Sequence, residues 1–365
     1  MNYIELNGVR NTLIQGLMIQ ELSPISKPLM RTSVEEIEGR DGDIVTKLGY
    51  SAYDKELTIG VFGNYNIDEI IKYFDSEGTV IFSNEPDKYY KYQIIEQIDF
   101  ERLGRFRSAT VTFHVQPFKF SAVDDDYWIT TDVLKLKSFK SESNAPKVIS
   151  NGEYISITGN SADNSFAIPI DAVTLNGSYT LDLKFDGKGG EDPSFLTEYD
   201  VRLYDTTPTD ADSFGGTAYT LNYTDSAITD TQTLSNKSLH YVGLDTHADS
   251  DHANIYLHLW ANSSEYESVE LVNRGNVYAR PKLTIYGSGD IDLYINGEQI
   301  FDIALASDGF IVLDGETMNA YKGNVLKNRS VSGDFENLVF KVGNNTLGWV
   351  GTVREIKVEN GSRWL

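Results

Sequence analysis

The chain contains no cysteine among its 365 residues. Neither a disulfide framework nor a thiolate metal site can form, and no thiol nucleophile exists. No window approaches 18 consecutive apolar residues, so no membrane-spanning helix is expected and a membrane is not an expected partner. The first residues, MNYIELNGVRNTLIQGL, lack a basic stretch followed by an apolar run. They do not read as a signal peptide, and synthesis in a cytoplasm is expected. Cations are scarce, with 31 Lys and Arg against 54 Asp and Glu, a formal net charge of −23. Binding nucleic acid by neutralising phosphates needs clustered cations, so specific nucleic-acid recognition is not expected. A channel through which DNA passes without adhering is not excluded.

Enzyme signatures are missing too. There is no HExxH, no Gly-x-Ser-x-Gly elbow and no Gly-Lys-Ser/Thr phosphate loop. Two carboxylates facing one cleft would make a glycosidase, but their separation in space is not legible here. The chain is expected not to be an enzyme.

Aromatic residues are abundant, with 22 Tyr and 17 Phe. Tyrosine suits strands and wet interfaces because its body is apolar and its tip polar. The negative charge is concentrated. Residues 129–267 carry 21 acidic and 8 basic residues, against 18 and 13 in residues 1–120. A shift of that size marks a candidate domain boundary.

Residues 1–120 read as strands with one helix. Ile4 to Leu6 run into an Asn7-Gly8 turn, and Leu57 to Phe62 alternate as a strand. Asn66 is a plausible N-cap with Glu69 three residues on. Ile67, Ile70, Ile71 and Phe74 fall on one helical face, and Gly78 is placed to end the helix. Residues 133–264 read as short strands between loops rich in Gly, Asp, Ser and Thr, the pattern of a sandwich or jelly roll. Residues 268–365 are again β-rich. Leu283 to Tyr286 and Ile291 to Ile295 flank Gly287-Ser288-Gly289-Asp290, and Asn296-Gly297 is a hairpin turn.

Three stretches invite chemistry. The first is Arg40-Asp41-Gly42-Asp43. A calcium loop fails there, because Arg40 fills an alternating slot and the twelfth position from Asp41 is Ala52. A tight turn explains Asp41-Gly42. The second is Ile255 to Trp260. Alternation puts Ile255, Leu257 and Leu259 on one strand face and Tyr256, His258 and Trp260 on the other. Arg202 and Tyr204 alternate with Val201 and Leu203 in the same way. Aromatic rings stack on sugar C–H faces while Arg and His bond the hydroxyls, so these five residues are a candidate carbohydrate-binding face. The alternative is that Tyr256 and Trp260 are core. The third is the acidic run holding Asp245, His247, Asp249 and Asp251. It has the ligand types for a divalent cation, or is a solvated loop.

The two ends of the chain resemble the siphophage distal tail protein (Dit) family. The likeness rests on Ile4-Glu5-Leu6-Asn7-Gly8, Gly39-Arg40-Asp41-Gly42 and Gln116-Pro117-Phe118-Lys119 at the N-terminal end. At the other it rests on Asn273-Arg274-Gly275-Asn276-Val277-Tyr278, Ile285-Tyr286-Gly287-Ser288-Gly289-Asp290-Ile291, Ser332-Gly333-Asp334-Phe335, Gly343-Asn344-Asn345 and Ser362-Arg363-Trp364-Leu365. The resemblance implies a mainly β chain. Residues 1–128 would be a β-sandwich-type domain with one helix that builds a ring of six around the tail axis. Residues 129–132 with 265–365 would be a galectin-like β-sandwich. Residues 133–264, absent from the usual family pattern, would be an inserted jelly-roll-like module of the carbohydrate-binding kind, where a structural calcium is an option. The stretch Arg40 to Asp43 would lie in an arm embracing the neighbouring subunit. Implied partners are further copies of the chain, the tail tube protein, a tail-associated lysin or tail fibre, receptor-binding proteins and host cell-wall saccharide. The implied location is the distal end of the tail in the virion. The rivals are a stand-alone carbohydrate-binding protein and a tail-associated cell-wall hydrolase.

Overall fold

A computed structural model describes the chain except residues 1, 40, 124–125, 142–146, 159–163, 189–197, 205–217, 223–226, 247–251 and 263–264. Its architecture is mainly β, with the single α-helix Ile67–Phe74 among the described residues.

The first sheet orders its strands Val9–Arg10, Ile4–Leu6, Glu77–Phe82, Lys88–Gln93, Phe106–Ser121, Tyr53–Val61 and Leu17–Glu21. Asn7 and Gly8, at φ 48° and 83°, make the primed turn that matches strand twist. Alternation along Tyr53–Val61 and Phe106–Ser121 sends Leu57, Ile59, Val111 and Phe113 into one core, met by Ile70 and Phe74 of the helix. Asn66 does cap that helix, through the backbone N–H of Asp68. Two local expectations are corrected. Ile71 is exposed, so the helix buries a narrower face. Gly78 does not end the helix, which closes at Asp75, but lies in the next strand at φ 136°, where a Cβ would collide with the Asn7 side chain.

From this sheet a two-stranded ribbon stands off, Met30–Glu36 paired with Asp43–Tyr50. It pairs with no other strand among the described residues. Gly39 and Gly42 take φ 81° and 80° at its tip, so Asp41-Gly42 is a turn.

The C-terminal sheet runs Tyr127–Thr130, Gly343–Glu359, Lys282–Ile295, Glu298–Asp314, Asn319–Lys322, Val325–Leu326. Its core gathers Leu283, Ile285, Leu293, Phe301, Phe340, Trp349 and Ile356. The segments on either side of Gly287 to Asp290 are one strand, not two. The pairing register shifts there, and a Cβ on Gly287 would strike the carbonyl of Thr352. The glycines absorb a bulge in a continuous strand instead of making a loop. Asn296 and Gly297, at φ 54° and 83°, form the expected hairpin turn.

The third sheet orders Phe139–Lys140, Lys147–Ser150, Ile155–Thr158, His252–Asn262, Asn164–Lys188, Ala227–Thr246, Glu198–Tyr204, Ala218–Asn222. The two long strands change partners along their length. Asn164–Lys188 pairs through Ser178 to Lys188 with His252–Asn262, whereas Glu198–Tyr204 pairs with the half of Ala227–Thr246 beyond Leu239. Both halves enclose one core containing Ile168, Leu183, Val201, Val242, Ile255 and Leu257.

The chain end returns to the beginning. Arg363–Trp364 pairs with Lys119 and Phe120 of the first sheet.

Candidate functional site

The ribbon is far less buried than the first sheet. Every residue from Arg31 to Gly39 is exposed. Val34 and Val45 sit opposite each other across the ladder, 56% and 57% exposed, and Ile37 and Leu48 are also exposed. Apolar side chains held in water on a two-stranded hairpin bury nothing and cannot stabilise it alone. Asp41, Gly42 and Asp43 lie at its exposed tip, while Arg40 lies outside the described residues. The base is fastened. Lys55 Nζ donates to the carbonyl of Pro24 at 2.8 Å, and Asn84 donates to that of Ser23 at 3.1 Å.

Lys55 belongs to a buried cluster that sequence reading missed. Its ammonium lies 5.5 Å from the Phe82 ring centre and 5.2 Å from that of Tyr90. Lys119 pairs with Glu85 at 2.8 Å, both nearly sealed from solvent, and the Tyr90 hydroxyl also donates to Glu85. Burial holds the Lys55 ammonium below its ordinary pKa, partly offset by the Glu85 charge. In the sequence, nothing distinguishes these lysines from surface ones. They are gathered by strands separated by up to 64 residues.

The structure brings Tyr256, His258 and Trp260 together on the outward face of their strand, half-buried, with Ile255, Leu257 and Leu259 in the core. Tyr256 meets Tyr154 with ring centres 5.3 Å apart. His258 and Trp260 stack at 5.0 Å. His258 Nδ1 donates to Asp132 Oδ2 at 2.9 Å, and Trp260 Nε1 donates to Asp182 Oδ2 at 2.9 Å. Asp182 in turn pairs at 3.2 Å with Arg354 of the C-terminal sheet. The His258 and Trp260 end of this face therefore lies at the seam with that sheet. Arg202 does not join the trio. It faces outward on Glu198–Tyr204, separated from His252–Asn262 by two strands. Tyr204 is paired with Tyr241 in the ladder, and its side chain lies outside the described residues. Of the acidic run, Asp245 is in a strand, while His247, Asp249 and Asp251 lie outside the described residues. Among the described residues no cluster of three or more His, Asp or Glu could hold a metal. His114, in a strand of the first sheet, donates from Nδ1 to Asp54 at 2.8 Å.

Residues 5–115, the span of the first sheet with its ribbon and helix, match the family model of the phage tail protein RIFT-related domain. The N-terminal part of the chain thus carries a phage tail protein domain. Solved structures similar to this chain include the Dit protein of phage SPP1, described as a paradigm of the hub adsorption apparatus in phages infecting Gram-positive hosts. The identity there is 17%, over 71% of this chain and 99% of that one, with a TM-score of 0.29. Two structures of the phage P2 baseplate in its activated conformation are also similar. The one with calcium is 9% identical, over 98% of this chain and 97% of that one, with a TM-score of 0.35. The one with strontium is 10% identical, over 98% and 96%, with a TM-score of 0.31. Scores this low add no weight to the family match. The curated proteins include no match.

Proposed function

We propose that this tail protein is the hub at the distal end of a long non-contractile tail, assembled as a ring of six copies. Residues 1–128 form the ring, and the ribbon is the arm by which each copy holds its neighbour. Residues 129–132 and 265–365 are the galectin-like attachment point for receptor-binding or fibre proteins. The inserted module, residues 133–264, contacts host cell-wall saccharide through the face carrying Tyr256, His258 and Trp260, with Arg202 and Tyr204 on a separate part of the module. Six copies on one ring raise the effective concentration, so a weak single-site affinity suffices.

The observation that carries the ring is the ribbon itself. A domain of the phage tail family extends a hairpin whose apolar residues are exposed, and a second subunit is the natural cover for them. The test is absolute mass by light scattering, with negative-stain images of the same peak. Mass and images of six copies, or of two stacked rings, support the hub. A monomer at every concentration that binds host-wall polysaccharide through residues 133–264 supports the stand-alone binder instead.

A further inference from the structure

At one end of the first sheet lies a shallow basin of about 540 Å³ lined by Phe62, Tyr65, Arg102, Arg105, Phe106 and Arg107. Two features set it apart. Phe62 and Phe106 stack at 4.9 Å, yet each ring is 48% exposed. Moreover, three arginines sit together in a chain with a formal charge of −23, and none has a carboxylate partner among the described residues. Arg107 is held in place, its Nε donating to the Tyr65 hydroxyl at 3.0 Å. Arg102 and Arg105 are exposed. Exposed aromatic rings ringed by arginine are the composition of a protein interface core.

The complement is on the same chain. The ribbon carries Glu35, Glu36, Glu38, Asp41 and Asp43 within nine residues, beside the exposed Val34, Ile37 and Val45. None of these carboxylates makes an ion pair among the described residues. Acid and apolar surface on the ribbon match base and apolar surface in the basin.

The root of the ribbon and the basin lie at opposite ends of one strand. The ribbon's second strand ends at Tyr50, just before strand Tyr53–Val61, and the basin opens at Phe62, just beyond it. At the rise of a β-strand that separates the ribbon's root from the basin by about 26 Å. Donor and acceptor surfaces on opposite ends of a subunit produce head-to-tail contacts, which close into rings when the rotation permits. Within one subunit Glu35, Glu36 and Glu38 stay exposed and make no ion pair with Arg102 or Arg105, so the ribbon does not fill its own basin.

We infer that the basin of Phe62, Phe106, Arg102 and Arg105 is the acceptor for the acidic ribbon of a second copy of this chain. This rests on the ring reading and adds the residue-level contact to it. The flank on the ribbon side of the basin carries Glu56, Glu96, Asp99 and Glu101, which repel an acidic ribbon and so limit where it lies.

A charge exchange tests the pairing. One variant carries R102E and R105E; the other carries E35K, E36K and E38K. All five positions are exposed, and near-ultraviolet circular dichroism verifies that both variants keep the native fold. Each alone places like charges across every contact, so association weakens on the order of 100-fold and light scattering reads a smaller species than wild type. Mixed in equal amounts, each ribbon meets an opposite charge, and rings of alternating subunits reform. Variants that assemble as wild type does, or a mixture that stays dissociated, overturn the inference while leaving the ring standing. A wild-type protein that is monomeric throughout removes the ring and this contact together.

Discussion

The guanidinium of Arg363 lies 4.4 Å from the centre of the Phe118 ring, joining the last strand of the chain to the longest strand of the first sheet. Tyr278 covers it at 4.5 Å, Nε donates to the Tyr278 carbonyl at 2.8 Å, and Nη1 pairs with Glu316 at 2.8 Å. The side chain is almost fully buried. Burial lowers its pKa from the ordinary arginine value, with Glu316 opposing, but arginine stays charged at any working pH. Arg363→Ala should cost about 3 kcal/mol, combining a desolvated cation–π contact with charge-assisted hydrogen bonds. Arg363→Lys should recover less than half, because an ammonium cannot stack between two rings. Urea midpoints decide it, and an alanine variant as stable as wild type would refute the clamp.

Lys119 and Glu85 form the second tether, between strand Phe106–Ser121 and the loop that joins strands Glu77–Phe82 and Lys88–Gln93 of the first sheet. Lys119→Ala leaves a buried carboxylate whose other partner is the Tyr90 hydroxyl. The expected loss is about 3–5 kcal/mol. The double variant Lys119→Met with Glu85→Gln should lose much less, since no charge remains buried there. Comparable losses for the single and double variants would show that packing, not the ion pair, dominates.

Alkaline stability follows from the tyrosines. Burial raises the hydroxyls of Tyr53, Tyr73, Tyr90 and Tyr92 above their ordinary value of 10. The folded chain keeps those protons where the unfolded chain has lost them. Their contribution is therefore fully present below about pH 10 and is lost as pH rises further. Denaturation midpoints measured from pH 8 to 11.5 should fall steeply above 10, with absorbance at 295 nm lagging behind free tyrosine. A flat midpoint across that range would contradict the burial.

Asp132 should pin the segment that follows strand Tyr127–Thr130 onto strand His252–Asn262 of the third sheet. Its carboxylate accepts from His258 Nδ1 at 2.9 Å, from the Leu259 N–H at 2.9 Å and from the Leu134 N–H at 3.1 Å. Asp132→Ala is expected to cost about 2–3 kcal/mol and to loosen the stack of His258 on Trp260. Trp260 fluorescence reports that loosening directly. An unchanged emission spectrum together with unchanged stability would mean the segment is held elsewhere.

Gly275 is expected to tolerate no side chain. A Cβ there would collide with the backbone oxygen of Arg363. Gly275→Ala should lower the melting temperature through about 1–3 kcal/mol of overpacking and should displace the terminal strand. Nothing in the local sequence announces this, since the residue it meets is 88 positions away.

Much of the fold was legible because its signals are local. The turns at Asn7-Gly8 and Asn296-Gly297 need only φ > 0 at adjacent residues, and the inward set Ile255, Leu257, Leu259 needs only the two-residue period of a strand. The helix N-cap at Asn66 was equally local. Its end was not, because Gly78 answers to the Asn7 side chain across a strand pair and not to the helix. The bulge at Gly287 to Asp290 looks like a loop for the same reason, since the carbonyl that demands glycine belongs to Thr352.

The sequence by itself determined the absence of thiol chemistry, the β-rich class, the turn positions and the alternation of Tyr256, His258 and Trp260. Each depends on residue type or short-range period. Only the tertiary structure decided which polar groups are buried together and which apolar groups are left in water. Lys55, Glu85, Lys119 and Arg363 are ordinary charges in the sequence and become interior anchors through pairings between distant strands. Val34, Val45, Phe62 and Phe106 are ordinary core candidates and become exposed surface because no strand among the described residues covers them. Burial is set by what packs on top of a residue, and that is a property of the fold, not of the neighbouring letters.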